Sequence, residues 1–336
     1  MPVANRPGPL PLRQGDCGKA VRDLQQRLAR LGCPTAGHEI CGDVFQESTA
    51  LAVKSFQEAR GLRVDGVCGP QTWAALVEAG YRLGNRLLYL REPMLRGDDV
   101  ALLQRRLGGL GFDAGRVDAI FGPRTKSAVD EFQRNAGLTV DGVCGPATLS
   151  MLDRLGPGGA QREPVAVVRE LELLRHAPRT LHGRRIAVGD AGGLHAAAAA
   201  AARALATAGA EVVVVQHPDQ SEQAAEANAA LVDVYVGLRL DIDALGCTSA
   251  YYAGHEYVSP AGRGLALLVQ AILPETLGIA DTGVRGMALP VLRETRMPAV
   301  VCEMGPPSTV VARTAELADG LARALSAWAT APFVEA

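Results

Sequence analysis

Three apolar runs in the second half of the chain end in residues that could do chemistry. They are Ile186-Ala-Val-Gly-Asp190, Asp233-Val-Tyr-Val-Gly-Leu-Arg239-Leu-Asp241 and Met297-Pro-Ala-Val-Val-Cys302-Glu303. With His195 close behind the first run, Asp190, His195, Asp241, Cys302 and Glu303 are the side-chain types that ligate metals or move protons. His195, Glu303 and Asp190 together would make a conceivable but poor ligand set. Arg239 opposes that use, because its guanidinium carries a fixed positive charge that repels a divalent cation. That guanidinium has two other readings. It could stand in for a cation, pairing with Glu303 or holding a carboxylate or phosphate bidentately. Alternatively it forms a plain Arg–Glu ion pair that supports its surroundings. His195 equally suits a polar position at a helix N-terminus.

These residues need elements to hold them. Apolar runs predict strands at 185–188, 211–215, 232–238, 249–253 and 299–302, with helices at 194–208, 221–230, 261–272 and 310–328. Such alternation predicts an α/β domain with a largely parallel sheet flanked by helices. Ligand sites in that class lie at the carboxyl ends of strands. Asp190, Arg239, Asp241 and Glu303 all fall there.

The first half repeats itself. Val21, Leu24, Gln25, Leu28, Leu31 and Gly32 return as Val100, Leu103, Gln104, Leu107, Leu110 and Gly111. Phe56-Gln57 returns as Phe132-Gln133, and Asp65-Gly-Val-Cys-Gly-Pro70-x-Thr72 as Asp141-Gly-Val-Cys-Gly-Pro146-x-Thr148. The opening helices are three residues further apart than the closing segments, which places an insertion between the first and second helices, where loops tolerate it. Each repeat reads as three short helices. Gly32 and Gly111 suit helix C-termini, and Pro70 and Pro146 suit the first turn of the third helix. Between the repeats runs Tyr81-Arg-Leu-Gly-Asn-Arg-Leu-Leu-Tyr89. Gly156-Pro-Gly-Gly159 marks a break, followed by a helix near 165–174.

Bulk composition excludes some classes. The 336 residues suit two or three domains, and 48% hydrophobic with 21% charged residues is ordinary for globular proteins. A net charge of −2, from 34 basic and 36 acidic residues, lacks the basic footprint of a nucleic-acid binder. The opening residues show no apolar signal segment, and no run is long and apolar enough to span a membrane. Seven cysteines without a Cys-x-x-Cys pair suit reduced thiols. A cytoplasmic location is the expectation.

The repeat is similar to the peptidoglycan-binding domain type 1 over residues 12–80 and 94–155. After a linker at 156–183, residues 184–330 resemble the zinc-dependent N-acetylmuramoyl-L-alanine amidase family, type 3. The resemblance rests on Gly192-Gly193, Ala227-Asn228, Tyr251-Tyr252, Ser259, the run from Val284 to Arg293 and, above all, the run ending in Glu303-Met-Gly305. It implies two all-α three-helix modules followed by the amidase type 3 fold. In that family zinc, held by His, Glu and His, lowers the pKa of a bound water towards about 7, and a separate Glu acts as general base. The resemblance puts that base at Glu303. It puts the two His positions at Ala191 and Arg239, and the ligand Glu in a loop shortened here. The family's zinc is therefore expected to lack ligands, and no metal or other cofactor is expected.

One branch of the family, cytoplasmic regulators of actinobacterial cell-wall synthesis, shares the two modules, the connector and Arg in the second His position. That likeness implies a pseudo-amidase that binds muropeptide or lipid-linked precursor. It also implies a UDP-N-acetylglucosamine enolpyruvyl transferase and a Ser/Thr kinase as partners. Ala191 departs from the branch's Arg, and the branch's phosphorylated tail is not expected beyond Trp328. The alternatives are an active N-acetylmuramoyl-L-alanine amidase and an interaction scaffold without a glycan ligand.

Overall fold

Both repeats fold around the same buried stripe of leucines, and the computed structural model describes residues 10–155 and 165–331. The break expected at 156–159 and the opening nine residues lie outside the described residues. The chain forms two compact units, Met1–Ala166 and Val167–Ala336.

In the first unit, α1 (Lys19–Arg30), α2 (Gly37–Gly42), α3 (Glu47–Ala59) and α4 (Pro70–Ala79) make the first module. α5 (Asp98–Gly109), α6 (Pro123–Asn135) and α7 (Pro146–Arg154) make the second. Val21, Leu24 and Leu28 pack on Val53, Phe56 and Leu76, and Val100, Leu103 and Leu107 on Val129, Phe132 and Leu152. The expectation of three helices holds for the second module and is corrected for the first. The longer loop at 31–46, against 110–122, folds into the extra helix α2.

A buried carboxylate holds that insertion. Glu39 accepts hydrogen bonds from the backbone N–H groups of Gln46, Ser48 and Thr49 at 3.1, 2.9 and 3.0 Å and from the Thr49 hydroxyl at 2.6 Å. Burial alone would raise its pKa. The bonds from Thr49 and Ser48 outweigh that and hold it at about 2, below the ordinary 4.5. A depressed carboxylate contributes stability that is complete above the unfolded-state pKa and lost as pH falls towards 2. Glu39→Gln should therefore be clearly less stable than the native chain at pH 6, with the gap narrowing steadily as the pH of paired denaturant titrations falls from about 4.5 towards 2. A constant gap would contradict this role.

The paired glutamines are structural clamps. The buried Gln57 amide donates to Asp65 Oδ1, the Val67 carbonyl and Thr72 Oγ1 at 2.8, 3.0 and 3.1 Å, while its carbonyl accepts from the N–H groups of Asp65 and Gly66. Gln133 repeats the same bonds with Asp141, Val143, Thr148 and Gly142. One side chain thus ties the second long helix to the Asp-Gly turn and to the helix after it. This is why the three motif pieces occur together.

The connector is likewise part of the second module. Leu88 is buried in that module's core and exchanges backbone hydrogen bonds with Cys144, as Leu12 does with Cys68. Arg86 stacks over Tyr81 at 3.5 Å and binds the buried Asp99 at 2.7 and 2.9 Å. That core therefore begins ahead of residue 94. Burial pushes the equivalent thiols of Cys68 and Cys144 up to about 12. Thiol titration of the native chain should find exposed Cys17 and Cys41 reacting, with Cys68, Cys144, Cys247 and Cys302 silent until the chain is unfolded. Reaction of the buried four at the exposed rate would contradict the packing.

α8 (Val165–His176) begins at the end of the first unit and leads into the second. The second unit continues with β1 (Arg185–Asp190), α9 (His195–Thr207), β2 (Glu211–Gln216), α10 (Gln220–Ala229), β3 (Val234–Leu240), β4 (Gly246–Tyr252), α11 (Pro260–Leu277), β5 (Ala280–Met287), α12 (Pro290–Glu294), β6 (Ala299–Met304), α13 (Pro307–Ala312) and α14 (Thr314–Thr330). The six strands run in the order β2-β1-β3-β6-β4-β5. β2, β1, β3 and β6 are mutually parallel, while β4 runs antiparallel to β6 and parallel to β5. The sheet is thus largely parallel, as expected. α9, α11 and α14 cover one face.

Two features differ from the sequence expectation. β5 is an edge strand, Ala-Asp-Thr-Gly-Val-Arg-Gly-Met, mostly solvated and without the apolar run that marks a buried strand. The single helix expected at 310–328 is broken at Arg313, whose guanidinium donates to the Leu277 carbonyl at the end of α11 at 2.7 Å.

Candidate functional site

Alternation along the strands decides which polar residues meet. Ile186 and Val188 of β1, Val234, Val236 and Leu238 of β3, and Val300, Cys302 and Met304 of β6 all pack into the core beneath α9, α11 and α14. Successive side chains point to opposite faces. Arg239 and Glu303 therefore rise from the other face, and the same alternation carried one residue past β1 assigns Ala191 to it. Asp190 belongs with the core face.

Arg239 and Glu303 are register partners on adjacent strands. Arg239 Nη1 lies 3.5 Å from Glu303 Oε1, with the arginine side chain 34% exposed and the glutamate 8%. That distance is too long for a good hydrogen bond, and the pair is not bidentate. Lower on the same face, the Tyr235 hydroxyl donates to Gln223 of α10 at 2.5 Å. Its ring lies across Gly189 and Gly237, where any added carbon would meet it. Burial raises the Tyr235 pKa, keeping it a neutral donor.

The remaining sequence candidates are engaged elsewhere. The buried Asp190 accepts from the N–H groups of Gly192 and Leu194 at 2.8 and 3.3 Å, shaping the Gly-Gly turn into α9. His195 is exposed at the start of α9, and its Nδ1 hydrogen-bonds the Gln216 amide at the end of β2. β1 and β3 lie between that strand and β6. The Asp190–His195–Glu303 ligand set is therefore corrected: its members do not converge. Asp241 accepts from the Asp243 N–H at 3.0 Å, inside the loop after β3. Cys302 faces the core, its thiol pKa raised by burial. Of the candidates, the structure brings together Arg239 and Glu303.

That outcome bears on zinc. The position that would supply the first ligand carries a methyl group at Ala191, the second carries a cation, and the nearby acid and imidazole have other partners. Among the described residues no three His, Cys, Asp or Glu side chains group as a metal ion requires. The residues present do not fit a family zinc site.

Sequence reasoning missed two apolar residues of the loop after β3 and the cross-strand partner of Glu303. Thr248 sits opposite it on β4 and shares a 2.6 Å hydrogen bond with Thr282. Ile242 and Leu245, in the loop after β3, are 80% and 78% exposed. The Asp241 N–H donates to the Met304 carbonyl at 2.9 Å, and a carbon on Gly305 would lie 2.5 Å from the Asp241 carbonyl and closer still to that of Ala244. The loop is thus laid against the end of β6, with its two apolar side chains outward. Large apolar residues in a short acidic loop were the available signal. Two other resemblance residues have structural duties: Asn228 bonds the backbone at Glu294 and Arg296, and Ser259 caps α11 while donating to Glu170.

Comparison with known proteins extends this picture. The family model described as a putative peptidoglycan binding domain matches residues 17–76 and 96–152. The chain is 36% identical to N-acetylmuramoyl-L-alanine amidase CwlM of Mycobacterium tuberculosis, over 91% of this chain and 84% of that protein. It is 32% identical to N-acetylmuramoyl-L-alanine amidase CwlL of Bacillus licheniformis, over 43% of this chain and 45% of the relative. Among solved structures, the amidase Ami1 of Mycobacterium smegmatis aligns 98% of its length with 45% of this chain at 13% identity and a TM-score of 0.40.

Proposed function

We propose, for a chain that belongs to the family of amidase-type proteins represented by CwlM, that it binds peptidoglycan precursor without hydrolysing it and regulates cell-wall synthesis. The observation carrying this reading is the Arg239–Glu303 pair. A hydrolytic zinc needs neutral or anionic ligands and an open position for water. Here a permanent cation occupies one ligand position and pairs with the residue that would serve as base. The two modules supply the peptidoglycan-related part of the reading. No described helix is long and apolar enough to cross a membrane. We place the protein in the cytoplasm, where muropeptide or lipid-linked precursor would be its ligand. A UDP-N-acetylglucosamine enolpyruvyl transferase and a Ser/Thr kinase are the protein partners to seek by pull-down.

A second reading, an active amidase, is favoured by Glu303, which keeps a buried carboxylate at the end of β6. The two readings separate in one assay. Purified chain is incubated with a muramoyl-L-alanyl peptide, and newly freed alanine amine is followed while binding is measured on the same sample. Binding without amine release is expected. Amine release that disappears in Glu303→Gln would establish the amidase reading instead.

A further inference from the structure

We propose that the Arg239–Glu303 pair is a receptor for a free amino-acid head, an ammonium and a carboxylate on one carbon, presented by a peptide side chain. This rests on the reading that the chain binds without hydrolysis. The guanidinium is one-third exposed, and its contact with Glu303 at 3.5 Å leaves its fork open to a bidentate carboxylate. The nearly buried Glu303 beside it decides the class of ligand. A phosphate or a bare carboxylate on Arg239 would stand beside the negative charge of Glu303, and a simple amine would be repelled by Arg239. A zwitterionic head satisfies both: its carboxylate on Arg239, its ammonium on Glu303. The two side chains rise from neighbouring strands about 4.8 Å apart, a gap that the two charged groups of one carbon can bridge. Ile242 and Leu245 stand exposed on the loop that leaves the strand of Arg239 and lies against the end of β6. They provide an apolar rim for the rest of the peptide. In peptides, a free amino-acid head on a side chain belongs to a diamino diacid residue.

The test is calorimetric titration of the full chain with L-alanyl-γ-D-glutamyl-meso-diaminopimelate and with the same peptide acetylated on its free amine. The native chain is expected to bind the free form at least tenfold more tightly than the acetylated one. Arg239→Met should lose at least tenfold for the free form. Glu303→Gln should bind both forms equally weakly, an effect that peptide bound on the modules would not show. Ile242→Ser with Leu245→Ser, two exposed positions whose change should leave the fold intact, should also weaken the free form. Equal binding of the two peptides by native chain, no binding of either, or native affinity in Arg239→Met would each overturn the proposal. All of these would leave the absence of hydrolysis standing, whereas amine release in the muramoyl-peptide assay would overturn the functional reading itself.

Discussion

Gln57→Leu is expected to lower the stability of the first module by about 3 kcal/mol or more, although it exchanges one buried side chain for another of similar size. The native amide makes five hydrogen bonds to the Asp65–Thr72 segment. Leucine leaves those donors and acceptors beneath a buried side chain, and each buried polar group left unsatisfied costs about 1–3 kcal/mol. Some will reach water, because Asp65 is exposed, so the full sum is not expected. Trp73, buried directly after Thr72 with Arg27 over its ring at 5.3 Å, reports the loss through its fluorescence in urea. Gln133→Leu repeats the experiment in the second module, with the same bonds broken, and its effect should match. A loss below about 1 kcal/mol at both positions would show that the Asp-Gly turn holds itself.

Gly305→Ala should be as damaging in the second unit, at about 3 kcal/mol, the upper end for overpacking a close-packed interior. The added carbon meets the carbonyl oxygens of Asp241 and Ala244, backbone atoms that cannot rotate away as a side chain can. Either β6 moves or the loop at 241–245 lifts, and both loosen the register that holds Arg239 beside Glu303. For a unit of this size the cost corresponds to a melting temperature lower by roughly 6–12 °C. Trp328, fully buried in the same unit, provides the signal. An unchanged melting temperature would mean that the loop is not laid against β6 as described.

Much of this architecture was legible in the sequence because its cause is local. Leucines at helical spacing define the stripes of α1 and α5, and short apolar runs mark β1, β2, β3 and β6. Glu303 and Arg239 were legible as strand-end residues for the same reason. Which candidates would meet was not legible. Asp190 and Arg239 both stand at strand ends, yet they differ in phase relative to the buried residues of their own strands, so they serve opposite faces. His195 is one helical residue beyond the Gly-Gly turn, and its partner Gln216 lies on a strand the sequence gives no reason to choose. β5 escaped because an edge strand facing water needs no apolar run. The duty of Gln57 and Gln133 was hidden as well: a buried amide serving a distant loop has no periodicity, and shows only as a residue type repeated at the same place.

The reading that the Arg239–Glu303 site does not support zinc hydrolysis is tested most directly by metal content. Full-length chain is incubated with excess zinc, dialysed without chelator and measured for bound metal per chain. The pairing of Arg239 with Glu303, together with the methyl at Ala191, predicts far less than one zinc per chain, unchanged in Glu303→Gln. One zinc per chain that survives dialysis would contradict the account.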